Sequence, residues 1–565
     1  MRLHTFKRNS RGKNILLALA VWLAGVGVAQ AQSISVTLSP QVITGLTIGQ
    51  ATPLAATLVN DTQNQGVIWS ATGGTFSATS SLSGVVTTYT APASAGVYSV
   101  TATSVKDPTK SATVTFGVTD AAGVFTYHNN VSRNGSNPSE YSLVPSNVSS
   151  ATFGKLFSCT VDGAIYAQPL WVANLTVGGT KHNVILVATE HDSLFAFDAD
   201  VNTTPCTPLW QVSLIDNLHG GSSAESPVPS LPTNFLVGQG DGDIAPEVGI
   251  TGTPVIDPST NMLYVVSKSV NTAGPTFYQR LHAIDITTGN ERAGSPVVIA
   301  GTYPGTGDGG TTDTFSAQQQ NQRAGLALIN GIIYICWGSH EDTSPWYGWV
   351  MSFNASTLAP AAVFNSTPNF RQGGIWMGGG APSADSSNNL YILTGNGTFN
   401  ATNSTAPNND YGDSFLKLSS NLAVSSFFTP SDQSNDDLND LDFGSGGSAI
   451  LVDQPMSPTP RLVIGGGKDG FLYLLSRDSL GGSGDGNAWQ RFSFGNGIFA
   501  TGAFWNQTFY LAGNKGPVQA FTFNVGMGTF NTPAASQSPT TYGFPGSFPT
   551  RDNCSRVAVW TRFLQ

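Results

Sequence analysis

Two short strings set a histidine beside acids: Glu190-His191-Asp192 and His340-Glu341-Asp342. A carboxylate next to an imidazole is the pairing that general acid–base chemistry uses. It is also how strand ends hydrogen-bond neighbouring loops, which is the commoner role. Other strings of the same kind are Tyr278-Gln279-Arg280, Tyr411-Gly412-Asp413, Lys468-Asp469 and Asn514-Lys515. Glu247, Arg323, Trp376 and Asp442 stand singly before apolar runs. The chain has only 24 Lys and Arg and 34 Asp and Glu in 565 residues, so a gathering of charge is informative. The ligand-binding candidates are Glu190, His191, Glu247, Arg280, Arg323, His340, Glu341, Trp376, Asp442, Lys468 and Asp469. Such a set suits a polar or sugar-like ligand, hydrogen-bonded by paired acids and stacked on Trp376 or Trp346. No catalytic residue is assigned.

The run Asp436-Asp437-Leu438-Asn439-Asp440-Leu441-Asp442 is acid-rich. Asp437, Asp440 and Asp442 could offer calcium its oxygen ligands, but the spacing is not that of an EF-hand, and a solvated loop is the favoured reading. Asp241-Gly242-Asp243 is read in the same way. The strings Gly378–Gly380 and Gly465–Gly467 open no helix and sit where strands are expected, so they are not phosphate loops. Gly-x-Ser-x-Gly and HExxH motifs are absent from the sequence.

The four cysteines, Cys159, Cys206, Cys336 and Cys554, lie far apart, without CxxC or CxxCH spacing. Zinc and c-type haem signatures are therefore missing. In an oxidising compartment Cys159–Cys206 is a candidate disulfide, one of three connectivities that four cysteines allow. Cys336 falls inside the apolar run Ile332–Trp337 and reads as buried and unpaired.

The elements that would hold these residues are strands. Gly (64) and Pro (32) are abundant, and charged residues make up 10% of the chain against about 25% in an average soluble protein. That composition excludes helical bundles and coiled coils. The 31 Phe, 15 Tyr and 11 Trp are enough for a large core and exclude disorder. A basic footprint for nucleic acid is missing. Residues 1–31 combine Arg2, Lys7, Arg8, Arg11 and Lys13 with the apolar run Ile15–Val28 and a small-x-small site, Ala29-Gln30-Ala31. This is the pattern of a secretory signal peptide, cleaved near Ala31. The expected location is extracytoplasmic: periplasmic, cell-surface or secreted. Its removal takes five of the 24 basic residues, leaving 19 against 34 acids, a balance of −15. No later segment is apolar for long enough to span a bilayer.

Residues 33–118 alternate with period two over short runs, for example Val67-Ile68-Trp69-Ser70 and Val97-Tyr98-Ser99-Val100-Thr101, with turn residues between. From about residue 124 a three-part unit repeats. A small-residue start is followed by an apolar strand and then by a strand ending in a short polar residue. The starts are Ala167-Gln168-Pro169, Gly252-Thr253-Pro254, Ala324-Gly325, Gly380-Ala381-Pro382, Gly446-Gly447-Ser448 and Thr501-Gly502. The closing residues are Asp198, Asp285, Asn354, Ser419, Ser476 and Thr522. Repeated strand units with variable loops predict a β-propeller, whose innermost strands need small residues because they crowd the axis. In that geometry the loops before the innermost strands and those between second and third strands emerge on one face, which brings the charged strings together.

Tyr89-Thr90-Ala91-Pro92 followed by Gly96–Ala102 resembles bacterial immunoglobulin-like domains, with Trp69 as the core tryptophan. The lead-in Tyr127-His128-Asn129-Asn130…Ser146-Asn147-Val148 and the turn Ala283–Gly289 resemble quinoprotein alcohol dehydrogenase-like propellers (the PQQ-like repeat family), with Ala196–Asp200 a weaker match. The first resemblance implies a spacer or adhesion module. The second implies the propeller fold and, in its quinone-dependent members, pyrroloquinoline quinone, calcium, a catalytic Asp and a ring of adjacent cysteines. This chain has no Cys-Cys pair, and Pro345-Trp346-Tyr347-Gly348-Trp349 lacks the acid of the Trp-rich motif.

The expectation is thus all-β. A signal peptide (1–31) precedes an Ig-like β-sandwich (32–119) and a propeller (124–565) of about seven blades, the last incomplete at the C-terminus. Phe153–Val161 is its candidate outer strand. The expected function is non-catalytic binding or scaffolding, with a polar small molecule, glycan or protein on one propeller face. The alternatives are a pyrroloquinoline quinone-dependent dehydrogenase and a glycan-binding or glycan-active propeller.

Overall fold

The computed structural model describes residues 33–41, 45–141, 143, 154–155, 157–201, 205–230, 244–404, 409–552 and 557–560. The expected leader, Asp241–Asp243 and Cys554 lie outside them.

The N-terminal part is two sheets packed face to face. One holds Ser35–Ser39, Ala51–Val59, Thr87–Thr90 and Thr75–Phe76. The other holds Leu46–Thr47, Ser111–Thr119, Gly96–Ser104, Val67–Ala71 and Ser80–Ser81. Within Ala51–Val59, buried Leu54, Ala56 and Leu58 alternate with more exposed neighbours, as the period of a strand with one buried face requires. Leu38, Leu54 and Tyr89 from one sheet meet Trp69, Val100 and Phe116 from the other in a single core.

The rest of the described chain is a β-propeller. Six successive antiparallel sheets follow the six sequence copies, each built on consecutive strands. Blade 1 pairs Leu170–Val177, Thr180–Ala188, Ser193–Asp198 and Trp210–Ser213. Blade 2 pairs Val255–Asp257, Met262–Asn271, Thr276–Asp285 and Val297–Val298. Blade 3 runs from Ala327–Ile329 to Pro360–Asn365, blade 4 from Ser383–Ala384 to Val424–Thr429, and blade 5 from Ala449–Ile450 to Gln490–Ser493. Blade 6 centres on Thr508–Ala512 and Pro517–Asn524. The larger apolar clusters of the propeller run between blades. Blades 3, 4 and 5 share one through Tyr334, Leu390, Phe415 and Val463, and blades 5 and 6 share another through Leu462, Leu474, Phe509 and Phe521.

The repeated polar residue closing each third strand has a local cause. Asp285 Oδ1 accepts the Thr287 N–H at 2.8 Å, and Asn354 Oδ1 accepts the Ser356 N–H at 2.9 Å. These are the side-chain turns by which Asp and Asn reverse a chain. The small residues at the starts reflect crowding. A Cβ at Gly252 would lie 2.3 Å from Gln322 Oε1, and one at Gly447 would lie 2.0 Å from Thr501 Oγ1.

The lead-in, residues 125–134, is bonded to several of the inner strands. The carbonyls of Phe125, Val131, Ser132 and Asn134 accept the N–H groups of Ile256, Ala384, Ile450 and Phe504, each at 2.8 Å. Arg133 is fully buried there. Its guanidinium donates to the carbonyls of Tyr127, Asn130, Leu326 and Pro382 and to Thr126 Oγ1, at 2.7–3.3 Å. All five acceptors are neutral, and burial lowers the Arg133 pKa to about 9. His128 beside it is buried, which pushes its pKa down to about 4, and its neutral ring bonds the Arg133 carbonyl through Nδ1.

Four expectations are corrected. Residues 157–161 form no strand, so the described part of Phe153–Val161 does not close the ring; Ser136–Asn137 instead pairs in parallel with Phe548–Asp552, which pairs with Val557–Trp560. Gly378 and Gly379 lie in a tight turn rather than a strand, at φ of 61° and 77°. Arg280 lies within the strand Thr276–Asp285, because that hairpin extends beyond the others. The acidic run is only in part a solvated loop: a short helix, Gln433–Leu438, buries Asp436, Asp442 is buried after it, and Leu438, Asn439 and Asp440 between them are exposed. Cys159 and Cys206 are disulfide-bonded with Cα atoms 5.2 Å apart, and Cys336 is buried as a free thiol. Among the described residues no helix is long and apolar enough to cross a membrane.

Candidate functional site

A cavity of about 420 Å³ opens where the inner strands begin. Tyr166, Arg323 and Ser445 line it, each standing immediately before a small-residue start of the repeat. Trp376, Gly378 and Phe499 come from the same stretches of blades 4 and 6. The loops between second and third strands add Glu341, Asp342 and Lys468, and the segment after the short helix adds Asp440 and Asp442. Six of the sequence candidates therefore share one pocket: Arg323, Glu341, Trp376, Asp442 and Lys468 from the ligand set, and Asp440 from the calcium set.

Three glycines make room for it. A Cβ at Gly338 would lie 2.5 Å from the Trp376 indole nitrogen. One at Gly374 would lie 2.6 Å from the far edge of that ring and 2.8 Å from Trp346. One at Gly395 would lie 2.1 Å from Asp442 Oδ1 and 2.6 Å from Trp376. In that space Trp376 packs edge-to-face on the buried Trp346, centroids 5.2 Å apart, and donates its N–H to the Ser339 carbonyl at 3.1 Å.

Charge is arranged in two groups. Lys468 Nζ lies 2.6 Å from Asp442 Oδ2 and 2.8 Å from Asp440 Oδ1. Asn396 fixes both acids, its N–H on Asp442 Oδ1 and its side-chain amide on Asp440. Burial works against the Lys468 ammonium, but the two carboxylates outweigh it and hold its pKa above the ordinary value. Burial raises the Asp442 pKa, with the ammonium opposing. In the second group Glu341 and Asp342 both take left-handed backbone, φ 44° and 52°. Ser339 Oγ donates to Asp342 Oδ1 and accepts the Asp342 N–H, both at 3.1 Å. Burial, followed by the charges of Asp442 and Asp440, pushes Asp342 up to about 6.

The remaining candidates lie elsewhere, bound to neighbours. His191 Nδ1 meets Glu247 Oε1 at 2.8 Å on the surface. Glu190 is buried and accepts the Gly249 N–H and the Thr251 hydroxyl. Arg280 forms a buried two-pronged pair with Glu225, 55 residues away in sequence. His340 is buried, with Nε2 accepting from Lys268 Nζ at 2.7 Å. Asp469 caps the Phe471 N–H, and burial with nearby Asp432 raises it to about 6. Asp437 is not brought together with Asp440 and Asp442: no three His, Cys, Asp or Glu among the described residues form a group that could hold a metal ion. Sequence reasoning missed Tyr166, Asn321, Phe499 and Phe544 as lining residues. The first three were findable, because they sit at or just before repeat starts. Phe544 was not, because it arrives from the segment after blade 6 and meets Phe499 edge-to-face at 5.2 Å.

Pyrroloquinoline quinone does not fit this pocket. It carries three carboxylates, and the lining already holds four against Arg323 and Lys468. A bridging cation would have to make up the difference, and the described acids do not gather to hold one. The described cysteines do not serve either: Cys336 is buried singly in blade 3, and the disulfide lies outside the lining.

No family model matches the sequence, and no curated protein is similar to it. Solved structures do align. Quinohemoprotein alcohol dehydrogenase from Comamonas testosteroni aligns at 12% identity over 78% of this chain and 70% of that one, with a TM-score of 0.47. Quinohemoprotein alcohol dehydrogenase ADHIIG from Pseudomonas putida HK5 aligns at 12% identity over 74% of this chain, TM-score 0.44. The chain spans 60% of that enzyme's length. BamB from Moraxella catarrhalis aligns at 14% identity over 64% of this chain and 95% of that one, TM-score 0.29.

Proposed function

We propose that this chain is an extracytoplasmic binding protein that holds a polar ligand non-catalytically in the axial pocket, its N-terminal sheets serving as an immunoglobulin-like spacer. One observation carries the reading. The polar groups of the pocket hold one another: Lys468 is spent on Asp440 and Asp442, and the Ser339 hydroxyl on Asp342. Among the described residues the lining has no cysteine or histidine, and no hydroxyl sits beside an imidazole. That supports recognition over attack by an activated hydroxyl or thiol. The glycan reading draws on Trp376 beside carboxylates, the combination that stacks a sugar face and binds its hydroxyls.

Two experiments test the proposal on the full chain. In the first, pyrroloquinoline quinone and calcium are added and cofactor absorbance and dye reduction are followed; stoichiometric binding with dye reduction overturns it. In the second, a glycan array separates the sugar reading from the rest, since retention of no sugar removes that reading.

A further inference from the structure

The ligand's chemical class can be argued from the same pocket, and this step rests on reading the cavity as a binding site. We infer that the pocket takes a cationic nitrogen, ammonium or guanidinium, carried on a flat apolar stem. Glu341, Asp342, Asp440 and Asp442 line it together with Arg323 and Lys468, two more negative groups than positive. Lys468 is already engaged by two of the acids. The lining also holds one buried acceptor that no donor meets. Asn321, only 4% exposed, lines the cavity with an amide oxygen that is buried and has no hydrogen-bond partner.

An anion entering here would face carboxylates in a partly dry site, which is costly. A neutral polyol would supply donors and leave the charge excess in place. A cation answers both needs. Trp376 adds the attraction of an indole face for a cation, and Phe499, Phe544 and Tyr166 supply an apolar wall for the stem.

Three probes of one shape and different charge test this: phenethylamine, 2-phenylethanol and phenylacetate, titrated calorimetrically into the full chain at low ionic strength. The amine binds, the alcohol at least about tenfold more weakly, and phenylacetate more weakly still. The Glu341→Gln, Asp342→Asn double variant loses about tenfold in amine affinity with the alcohol unchanged; Asn tolerates the left-handed backbone at 342, and an unshifted thermal midpoint verifies the fold. If the alcohol or phenylacetate binds as tightly as the amine, or the variant keeps full amine affinity, the inference is overturned while the pocket remains a binding site. If none of the three binds at about 10 mM, both readings fall.

Discussion

Gly395 has no side chain, and the pocket depends on that. Alanine there would drive its methyl into Asp442 Oδ1 and the Trp376 ring. Overpacking of this kind costs about 1–3 kcal/mol. The Gly395→Ala variant is expected to lose that much in denaturant unfolding, to shift its tryptophan emission as Trp376 is displaced, and to lose pocket ligands. The buried acids make a second prediction. Burial, then Asp432 and Asp469, raises Asp436 to about 7. Its folded pKa lies above its unfolded one, so the folded chain holds an extra proton between them and stability falls as pH rises through that window. His128, held at about 4, acts oppositely: stability falls as pH drops from about 6.5 toward 4. Comparison with Asp436→Asn isolates the acid, because His128 is common to both proteins. The thermal midpoint of the variant relative to the parent should rise between about pH 5 and pH 8; an unchanged difference refutes the assignment. Much at this scale was legible. Trp376, Arg323, Glu341, Asp442 and Lys468 could be chosen because the repeat says which loops converge. Arg280 and Glu190 were chosen by the same rule and are buried structural groups, since nothing near Arg280 in sequence announces Glu225.

The elements follow their local chemistry closely. The polar residue that ends each third strand was visible as a pattern, and Asp285 and Asn354 show its purpose as a turn former. The acidic run was misread in part because the charge of Asp436-Asp437 suggested solvent, whereas Asp436 lies on the buried side of a short helix. Ring closure was misread because Ser136–Asn137 finds its partner more than 400 residues downstream. The disulfide closes a 47-residue separation across the first blade. Chain-entropy reasoning gives such a link about 4 kcal/mol. Cys159→Ser is therefore expected to lower the unfolding free energy by that order, and reductant should reproduce the loss in the parent but not in the variant. A parent indifferent to reductant would contradict it.

For the whole molecule, scarcity of charge goes with crowding at the axis, where strand starts touch and side chains such as Thr501 leave no room for a Cβ at Gly447. The N-terminal sheets touch the propeller through a few polar contacts, among them Gln50 with Asp200 at 2.8 Å and with Asn183 at 3.1 Å. A chain starting at residue 120, which keeps Gly123–Val124 on blade 1, is expected to fold with its pocket intact. Unchanged near-ultraviolet circular dichroism and probe binding would verify this, and loss of cooperative unfolding would refute it.

The lead-in has a consequence for how such a ring is made. Phe125, Val131, Ser132 and Asn134 precede all of their partners along the chain. Those partners, Ile256, Ala384, Ile450 and Phe504, then follow in the same order as the carbonyls that receive them. The segment is an axle common to the ring, its acceptors running in the order of the inner strands they hold. Arg133 reaches from it to Leu326 and Pro382, so its full set of bonds needs blades 3 and 4 beside it.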